Sequence, residues 1–268
     1  MTEMKRKLLV MAAVFCLVFF GGTKFIARGE GQLLPILMYH DLCPDTETPG
    51  RYAVTASRFR EDMQWLRENG YTAMVAADLV AAQRSGKYPE KPVLITFDDG
   101  YRSNYTIAYP ILSEQGLKAT VCVVGTFLDD PKDVYMTWEQ AAVLQESGVI
   151  DIQSHTYALH SFANGDEIWP PYGMGVYRLA EETDDAYRSR FSADTALMRE
   201  KLAAIGSDFL LQAYPYGLCD PWSIELLKET GVKVTLLTSD RIHRTDGDLY
   251  AMTRMEVTTE RSVADILG

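Results

Sequence analysis

The sequence predicts an α/β fold in which parallel strands are covered by helices. Apolar runs of strand length alternate about seven times with segments of helical periodicity, which is the pattern of βα units. Glycine signals end several of the helical segments. A length of 268 residues, with 47% hydrophobic and 24% charged content, suits one large globular domain or two small ones. The alternation leaves a barrel and an open sheet as alternatives.

The apolar runs define the elements in order. They predict strands at residues 33–39, 91–97, 118–124, 149–153, 209–213, 232–237 and 253–257. Helices are predicted from Ser57 to Asn69-Gly70, over 77–84, over 103–115 with an interruption at Pro110, from Thr137 to Gly148, up to Gly206, and from Asp220 to Gly231. Thr137 and Gln140 form a capping box, and Pro221 follows Asp220 as the first helical residue. Residues 161–190 are the one irregular segment, expected to shape access to a site.

The first 23 residues have the pattern of an export signal. Lys5, Arg6 and Lys7 precede the apolar run 8–20, which is short for a membrane-spanning helix. Residues 1–23 are therefore expected to be a cleaved signal peptide or an uncleaved membrane anchor. A buried core helix is the alternative, and the basic flank fits it less well. A linker over 24–32 then leads to a domain over 33–268. The basic flank predicts that this domain lies at the extracellular face of the cell membrane, or is secreted.

Charge and cysteine usage exclude some classes of protein. The formal net charge is -11, which argues against a nucleic-acid partner because phosphate binding needs a basic face. An acidic surface is compatible with a neutral substrate or one that becomes cationic. The four cysteines are far apart and form neither a disulfide framework nor a Cys-x-x-Cys metal site.

The most informative stretch is Thr96-Phe97-Asp98-Asp99-Gly100-Tyr101. It closes an apolar strand with two adjacent carboxylates, and charges at the end of a buried strand usually serve chemistry. An ordinary Asp-Gly turn is the alternative. In a barrel the carboxyl ends of the strands share one rim, so this motif should lie near two others that follow strands.

The second motif is Ser154-His155-Thr156-Tyr157-Ala158-Leu159-His160. It holds two of the four histidines of the chain, five residues apart. On a straight helix these positions are about 140° apart, and on a strand they face opposite sides. Both rings can reach one point only if the segment is a loop or a widened turn. Two unrelated histidines are the alternative.

Adding Asp99 to His155 and His160 gives a His₂Asp donor set. That set is common in catalytic zinc sites, where a fourth position is left for water. We therefore expect Zn²⁺, or another divalent ion such as Co²⁺, Ni²⁺ or Fe²⁺. Asp98 lies next to the ligand and is free to accept a proton from water made nucleophilic by the metal.

The third motif is Tyr214-Pro215-Tyr216-Gly217. A tight turn here can aim the backbone N–H of Tyr216 into the site, where it would hold an oxyanion during acyl hydrolysis. An ordinary proline-containing turn is the alternative.

Together these motifs resemble the polysaccharide deacetylases, metal-dependent enzymes that remove N-acetyl groups from sugar polymers. The resemblance covers residues 33 to 260 and implies a distorted (β/α) barrel of about seven parallel strands. It implies Asp98 as catalytic base, Tyr216 as the oxyanion donor, and Asp99, His155 and His160 as metal ligands. Substrate contacts are expected from His40, Tyr101, Tyr214 and Trp169.

The chain departs from the common family pattern in three places. The histidines are spaced i, i+5 rather than i, i+4, as in the branch acting on poly-N-acetylglucosamine. Gln212, Ala213 and Tyr214 stand where the family has an arginine that orients the base. A late Leu-x-His that supplies the general acid has no clear match, and His243 is the one late histidine.

The resemblance implies an N-deacetylase acting on a polysaccharide that contains N-acetylglucosamine, such as poly-N-acetylglucosamine, peptidoglycan or a chitin-like polymer. The alternative is a carbohydrate-binding protein on the same barrel that is catalytically weak or inactive. The missing arginine and late histidine are what make this alternative credible.

Overall fold

Parallel strands form the central layer of the molecule. The computed structural model describes residues 31–160, 175–179 and 181–268. Its strands are β1 Leu33–Leu34, β2 Ile36–Tyr39, β3 Asp41–Cys43, β4 Ala53–Thr55, β5 Thr72–Met74, β6 Pro92–Asp99, β7 Ala119–Val123, β8 Ile150–Ser154, β9 Leu211–Ala213, β10 Val234–Leu236, β11 His243–Arg244 and β12 Met255–Glu256.

Helices connect the strands and cover the sheet. They are α1 Ala56–Glu68, α2 Ala76–Ser85, a π-helix Asn104–Ala108, α3 Tyr109–Gln115, α4 Gly125–Asp129, α5 Trp138–Ser147, α6 Asp184–Ala204, a 3₁₀ turn Pro215–Gly217, α7 Pro221–Glu229 and α8 Val263–Leu267. Within the described ranges, no helix has both the length and the apolar character needed to cross a membrane.

The main sheet has the order β10-β9-β8-β7-β6-β2-β12, and β5 pairs with the beginning of β6. Every one of these pairings is parallel. Backbone bonds from residues 249–254 to residues 235–239 draw β10 towards the segment that leads into β12. The result is a half-barrel of parallel strands, seven in this order and β5 beside β6, with helices around it, consistent with the expected distorted (β/α) barrel.

The core lies on both faces of this sheet. Leu37, Ile95, Val121 and Ile152 are fully buried in the larger cluster, which also packs α1, α5 and α6. A second cluster packs α2 against the other face. Because helices cover both faces of the sheet, side chains on both sides of each strand are buried. The strands therefore appear in the sequence as continuous apolar runs rather than as alternating apolar and polar residues.

Most predicted elements are confirmed, with shifts at their ends. Pro35 divides the first strand into β1 and β2. Thr137 and Gln140 form the predicted capping box, and Asp220 accepts a hydrogen bond from the Trp222 N–H at the start of α7. Pro110 does not interrupt its helix, because it stands in the first turn of α3, directly after the π-helix.

One expectation was wrong in extent, and several short elements were missed. The irregular segment was expected to run to residue 190, but α6 begins at Asp184, where Thr183 accepts a hydrogen bond from the Ala186 N–H. The first turn of this helix carries acidic residues, whose negative charges stabilise the helix by interacting with the positive end of its dipole. The short elements β3, β4, β5, β11, α4 and α8 were missed, because runs of two to five residues carry no periodic signal. The expected signal segment, most of the linker and Trp169 lie outside the described residues.

Candidate active site

The three sequence motifs meet at the carboxyl edge of the sheet. Asp98 and Asp99 end β6, His155 follows β8, and Tyr216 lies in the turn after β9. These strands are parallel, so their ends open onto one cleft of about 530 Å³. The cleft is lined by Met38, His40, Arg51, Tyr52, Asp98, Asp99, Tyr101, Phe127, Tyr135, His155, His160, Tyr216, Thr238 and Glu256.

Backbone strain is concentrated at this edge. Asp99, Thr156 and Tyr216 have φ angles of 72°, 74° and 59°, in the left-handed region that costs an L-residue roughly 1–2 kcal/mol. One such residue lies in each motif. The strain turns the chain sharply as it leaves the sheet, so that polar side chains point into the cleft rather than along the strand.

Gly217 completes the turn that carries Tyr216. Its φ is +68°, and a Cβ at this position would lie 2.0 Å from Thr238 Oγ1. Only glycine allows this approach of the turn to the segment after β10. The turn therefore holds Tyr216 at the wall of the cleft.

The predicted metal ligands come together. One ligand atom from each of Asp99, His155 and His160 lies within 4.8 Å of the others. Asp99 Oδ1 is 3.6 Å from His155 Nε2 and 3.2 Å from His160 Nε2. The segment between the histidines is an irregular loop, which is how rings at i, i+5 face one point.

Two features of this set fit a divalent cation. Asp99 Oδ1 is buried, and it accepts no hydrogen bond from the residues that the structure describes. His155 Nδ1 lies 2.9 Å from the Ala213 carbonyl oxygen, to which it donates, and this leaves the Nε2 lone pair directed at Asp99. A buried carboxylate oxygen facing two imidazole nitrogens without a hydrogen bond is the arrangement that a metal ion completes.

The charge states agree with this interpretation. Burial lowers the pKa of His155 to about 4, so the imidazole is neutral near neutral pH and available as a ligand. Burial alone would raise the pKa of Asp99, but the neighbouring imidazoles of His160 and His155 outweigh it and lower the pKa.

Asp98 is held by an arginine that the sequence motifs do not contain. Arg254 Nη1 and Nη2 each donate to one oxygen of Asp98 at 2.7 Å, as a bidentate pair. Both side chains are almost completely buried, at 1% and 2% exposure. Burial on its own would raise the pKa of Asp98, but the Arg254 guanidinium, together with His155, holds it well below its usual range.

Arg254 supplies Asp98 with the arginine partner that the residues before Tyr214 lack. Its Nε also donates to the Leu237 carbonyl oxygen, so the guanidinium plane is fixed from both sides. One signal in the sequence could have identified it: Arg254 is the arginine within the predicted strand 253–257. Because a buried cation needs a carboxylate partner, an arginine in a buried strand indicates a nearby acidic residue. Gln212, in the usual place of that arginine, accepts a hydrogen bond from Ser154 Oγ instead.

The side chain of Tyr216 contacts the second histidine. Its Oη donates to the His160 carbonyl oxygen at 3.0 Å, and the two rings lie 5.0 Å apart. The side chain therefore steadies the second histidine, while the role predicted for its backbone N–H stays a prediction.

The other candidate residues divide into those that line the cleft and those that do not. His40 and Tyr101 line the cleft, and their contact with substrate stays a prediction. Tyr214 does not line it: its side chain is fully buried in the core and its Oη accepts a hydrogen bond from Ser223 Oγ, so the expected substrate contact was wrong. His243 is in β11, where its Nε2 lies 3.0 Å from the Asp248 carbonyl oxygen, and it does not line the cleft.

The family model described as "Polysaccharide deacetylase" matches residues 85–235, more than half of the chain. The chain belongs to the polysaccharide deacetylase family. The matched residues include the three motifs but neither Arg254 nor His40.

Individual relatives place the chain beside one group of these deacetylases. It is 32% identical over 217 residues to poly-beta-1,6-N-acetyl-D-glucosamine N-deacetylase of Escherichia coli K12, covering 73% of this chain and 32% of that protein. The chain thus matches about a third of the length of this relative.

Solved structures show the same fold. A de-N-acetylase from Aggregatibacter actinomycetemcomitans superposes with a TM-score of 0.74 at 24% identity, over 88% of this chain and 98% of that one. IcaB from Ammonifex degensii superposes with a TM-score of 0.70 at 25% identity, over 89% and 96%.

We predict that Arg254→Met destabilises the fold. It leaves the Asp98 charge buried without a partner, which costs about 3–5 kcal/mol of unfolding free energy, and it raises the pKa of Asp98. Urea unfolding measures the loss. Arg261→Met is the matched control, because Arg261 pairs with Asp240 at the surface and should change stability by less than about 1 kcal/mol. Equal losses in the two variants would contradict this account.

We predict that the metal-free protein loses stability as the pH falls from about 6.5 to about 4. In this range the unfolded chain binds a proton at His155 that the folded protein does not bind, because burial lowers the pKa of His155. The free energy of unfolding is measured at several pH values in this range. Plotted against pH, it should have a slope up to about 1.4 kcal/mol per pH unit steeper in wild type than in His155→Gln. Parallel slopes would show that His155 is not buried as a neutral ring.

Proposed function

We propose that this deacetylase is metal-dependent and removes N-acetyl groups from poly-β-1,6-N-acetylglucosamine. The observation that carries the proposal is the buried pair Asp98 and Asp99, one held by Arg254 and the other facing two histidines. The name of the Escherichia coli relative supports the choice of polymer.

Asp99, His155 and His160 would hold the cation, with Zn²⁺ as the first candidate. When bound, a divalent ion supplies Lewis-acid chemistry: it polarises the amide carbonyl and lowers the pKa of water. The donor set offers two neutral imidazoles and one carboxylate, and its position at the cleft wall leaves room for water and substrate.

Asp98 acts as the general base. Its carboxylate is ionised because Arg254 and His155 keep its pKa low, and its Oδ2 lies 3.9 Å from His155 Nε2, beside the ligand cluster. It accepts a proton as water adds to the amide carbon. Arg254 fixes the direction of its lone pairs and touches neither substrate nor water in this role.

The remaining steps fall to the cleft walls. The Tyr216 N–H donates to the oxyanion that forms when water adds to the carbonyl carbon. The carbon–nitrogen bond then breaks, acetate leaves, and the amine takes a proton. We assign that proton transfer to His40, which lines the cleft directly after β2. Three described histidines line the cleft, and the other two, His155 and His160, belong to the candidate ligand set.

Arg254 also weighs against the alternative of a binding protein without turnover. That alternative depended on a missing arginine and a missing late histidine, and Arg254, directly before β12, supplies the arginine. For location, we propose export and attachment to a membrane through the N-terminal segment, supported by the basic and apolar pattern of residues 5–20.

We expect purified protein to hold a divalent metal and to release acetate from β-1,6-linked N-acetylglucosamine oligomers. Asp99→Ala should lose both the metal and activity, whereas Asp98→Asn should keep the metal and lose activity at least about 100-fold. Asp133→Ala is the control, because Asp133 is 98% exposed on the surface. Elemental analysis and acetate assays provide the measurements.

Other outcomes of that experiment are decisive as well. Metal retained at full occupancy in Asp99→Ala would contradict the ligand assignment. Oligomer retained without acetate release, with or without added metal, would identify a binding protein. Faster release from peptidoglycan or chitin oligomers would reassign the polymer.

We expect His40→Gln to impair amide hydrolysis much more than ester hydrolysis. An amine needs a proton to leave, but the phenolate of 4-nitrophenyl acetate does not, so only the sugar substrate should lose about 100-fold in kcat. His243→Gln is the matched control outside the cleft. A uniform loss on both substrates would remove His40 from the role of general acid.

A further inference from the structure

The loop that joins the two metal-ligating histidines has no regular structure of its own. It must nevertheless hold His155 and His160 at a fixed separation, with ring centroids 5.0 Å apart. Other parts of the molecule therefore have to fix its backbone, and the partners of each backbone group show which parts do so.

The carbonyl side of the loop is held by α4. The Gly125 N–H donates to the Thr156 carbonyl oxygen at 3.1 Å, and the Thr126 N–H donates to the Tyr157 carbonyl oxygen at 2.8 Å. Gly125 is required for this approach, because a Cβ there would lie 2.2 Å from the ring of Tyr157.

The N–H side of the loop is held by one carboxylate. Asp194 Oδ2 accepts from the Tyr157 N–H at 3.0 Å, and Asp194 Oδ1 accepts from the Ala158 N–H at 2.7 Å. Asp194 is only 8% exposed, and it stands in the middle of α6, whose buried residues Phe191 and Met198 anchor that helix in the core. The anchor is thus rigid where it meets the loop.

A second, weaker attachment supports the first. Tyr157 Oη donates to Asp129 Oδ2 at 2.6 Å, and Lys201 of α6 donates to Asp129 Oδ1. The Asp129 side chain is 30% exposed, so solvent weakens this contact. Asp194, in contrast, is buried and bonds the loop backbone directly.

We infer that Asp194 is a positioning residue for the metal centre, because it sets the backbone of the loop so that His160 reaches Asp99. An ionised carboxylate presents two acceptor atoms to two successive N–H groups, whereas an amide presents only one oxygen and places its NH₂ against the other N–H. The inference rests on the proposed metal role of His155 and His160. It concerns their support, and Asp194 contacts neither metal nor substrate.

The test compares full-length wild type, Asp194→Asn and Asp62→Asn. Asp62 is the matched control: it is 3% exposed and also accepts a backbone N–H, from Val263 at 3.1 Å. Zn²⁺ is titrated into metal-free protein by calorimetry. Amide hydrogen exchange of Tyr157 and Ala158 is measured by NMR in the same metal-free samples.

Asp194→Asn should weaken Zn²⁺ binding by about 10–100-fold, the range for a group that orients a ligand. Its amides at Tyr157 and Ala158 should exchange faster, whereas Asp62→Asn should match wild type in both measurements even if it lowers overall stability. Wild-type Zn²⁺ affinity in a folded Asp194→Asn, or equal weakening in the two variants, would overturn the inference.

A second variant covers the case in which Asp194→Asn fails to fold. Asp194→Glu keeps the charge and both oxygens but moves them by one methylene, so Zn²⁺ affinity should fall in proportion to the loss of amide protection. Lost protection with unchanged affinity would overturn the inference. Wild-type protein that binds no Zn²⁺ would instead overturn the proposed function, while the amide exchange would still report whether Asp194 holds the loop.

Discussion

The site depends on a carboxylate that stays charged although it is almost completely buried. Asp98 is buried, and burial by itself favours the neutral acid. Arg254 reverses this preference with two short hydrogen bonds across 156 positions of sequence. Removing two charges from water is costly, and the bidentate geometry with further bonds to Thr96 and Leu237 is what offsets the cost.

That ion pair also explains the layout of the fold. β6 and the segment before β12 lie on either side of β2, so Asp98 and Arg254 reach each other above the strand between them. The strain at Asp99 follows from the same constraint. Asp98 faces Arg254, and a left-handed residue immediately after it turns the second carboxylate towards the histidines. Two neighbouring residues thereby serve different partners.

The second half of the site is a loop held from outside. The rings of His155 and His160 converge because α4 binds the carbonyl groups between them and Asp194 binds the N–H groups. The spacing of five residues is compatible with one metal site only because this backbone is neither helix nor strand. Rigidity at the loop therefore comes from tertiary contacts, and the placement of the two histidine rings depends on residues outside the candidate ligand set.

The sequence by itself determined the strands of the main sheet except β5, most helices, and the candidates Asp98, Asp99, His155, His160 and Tyr216. It could do so because apolar runs, caps and adjacent polar residues are local patterns. Only the tertiary structure decided that Arg254 holds Asp98, that Tyr214 is a core residue, and that Asp194 binds the loop between His155 and His160. These assignments depend on which side chains meet across distant strands and helices, and no local pattern encodes a partner tens of residues or more away along the chain.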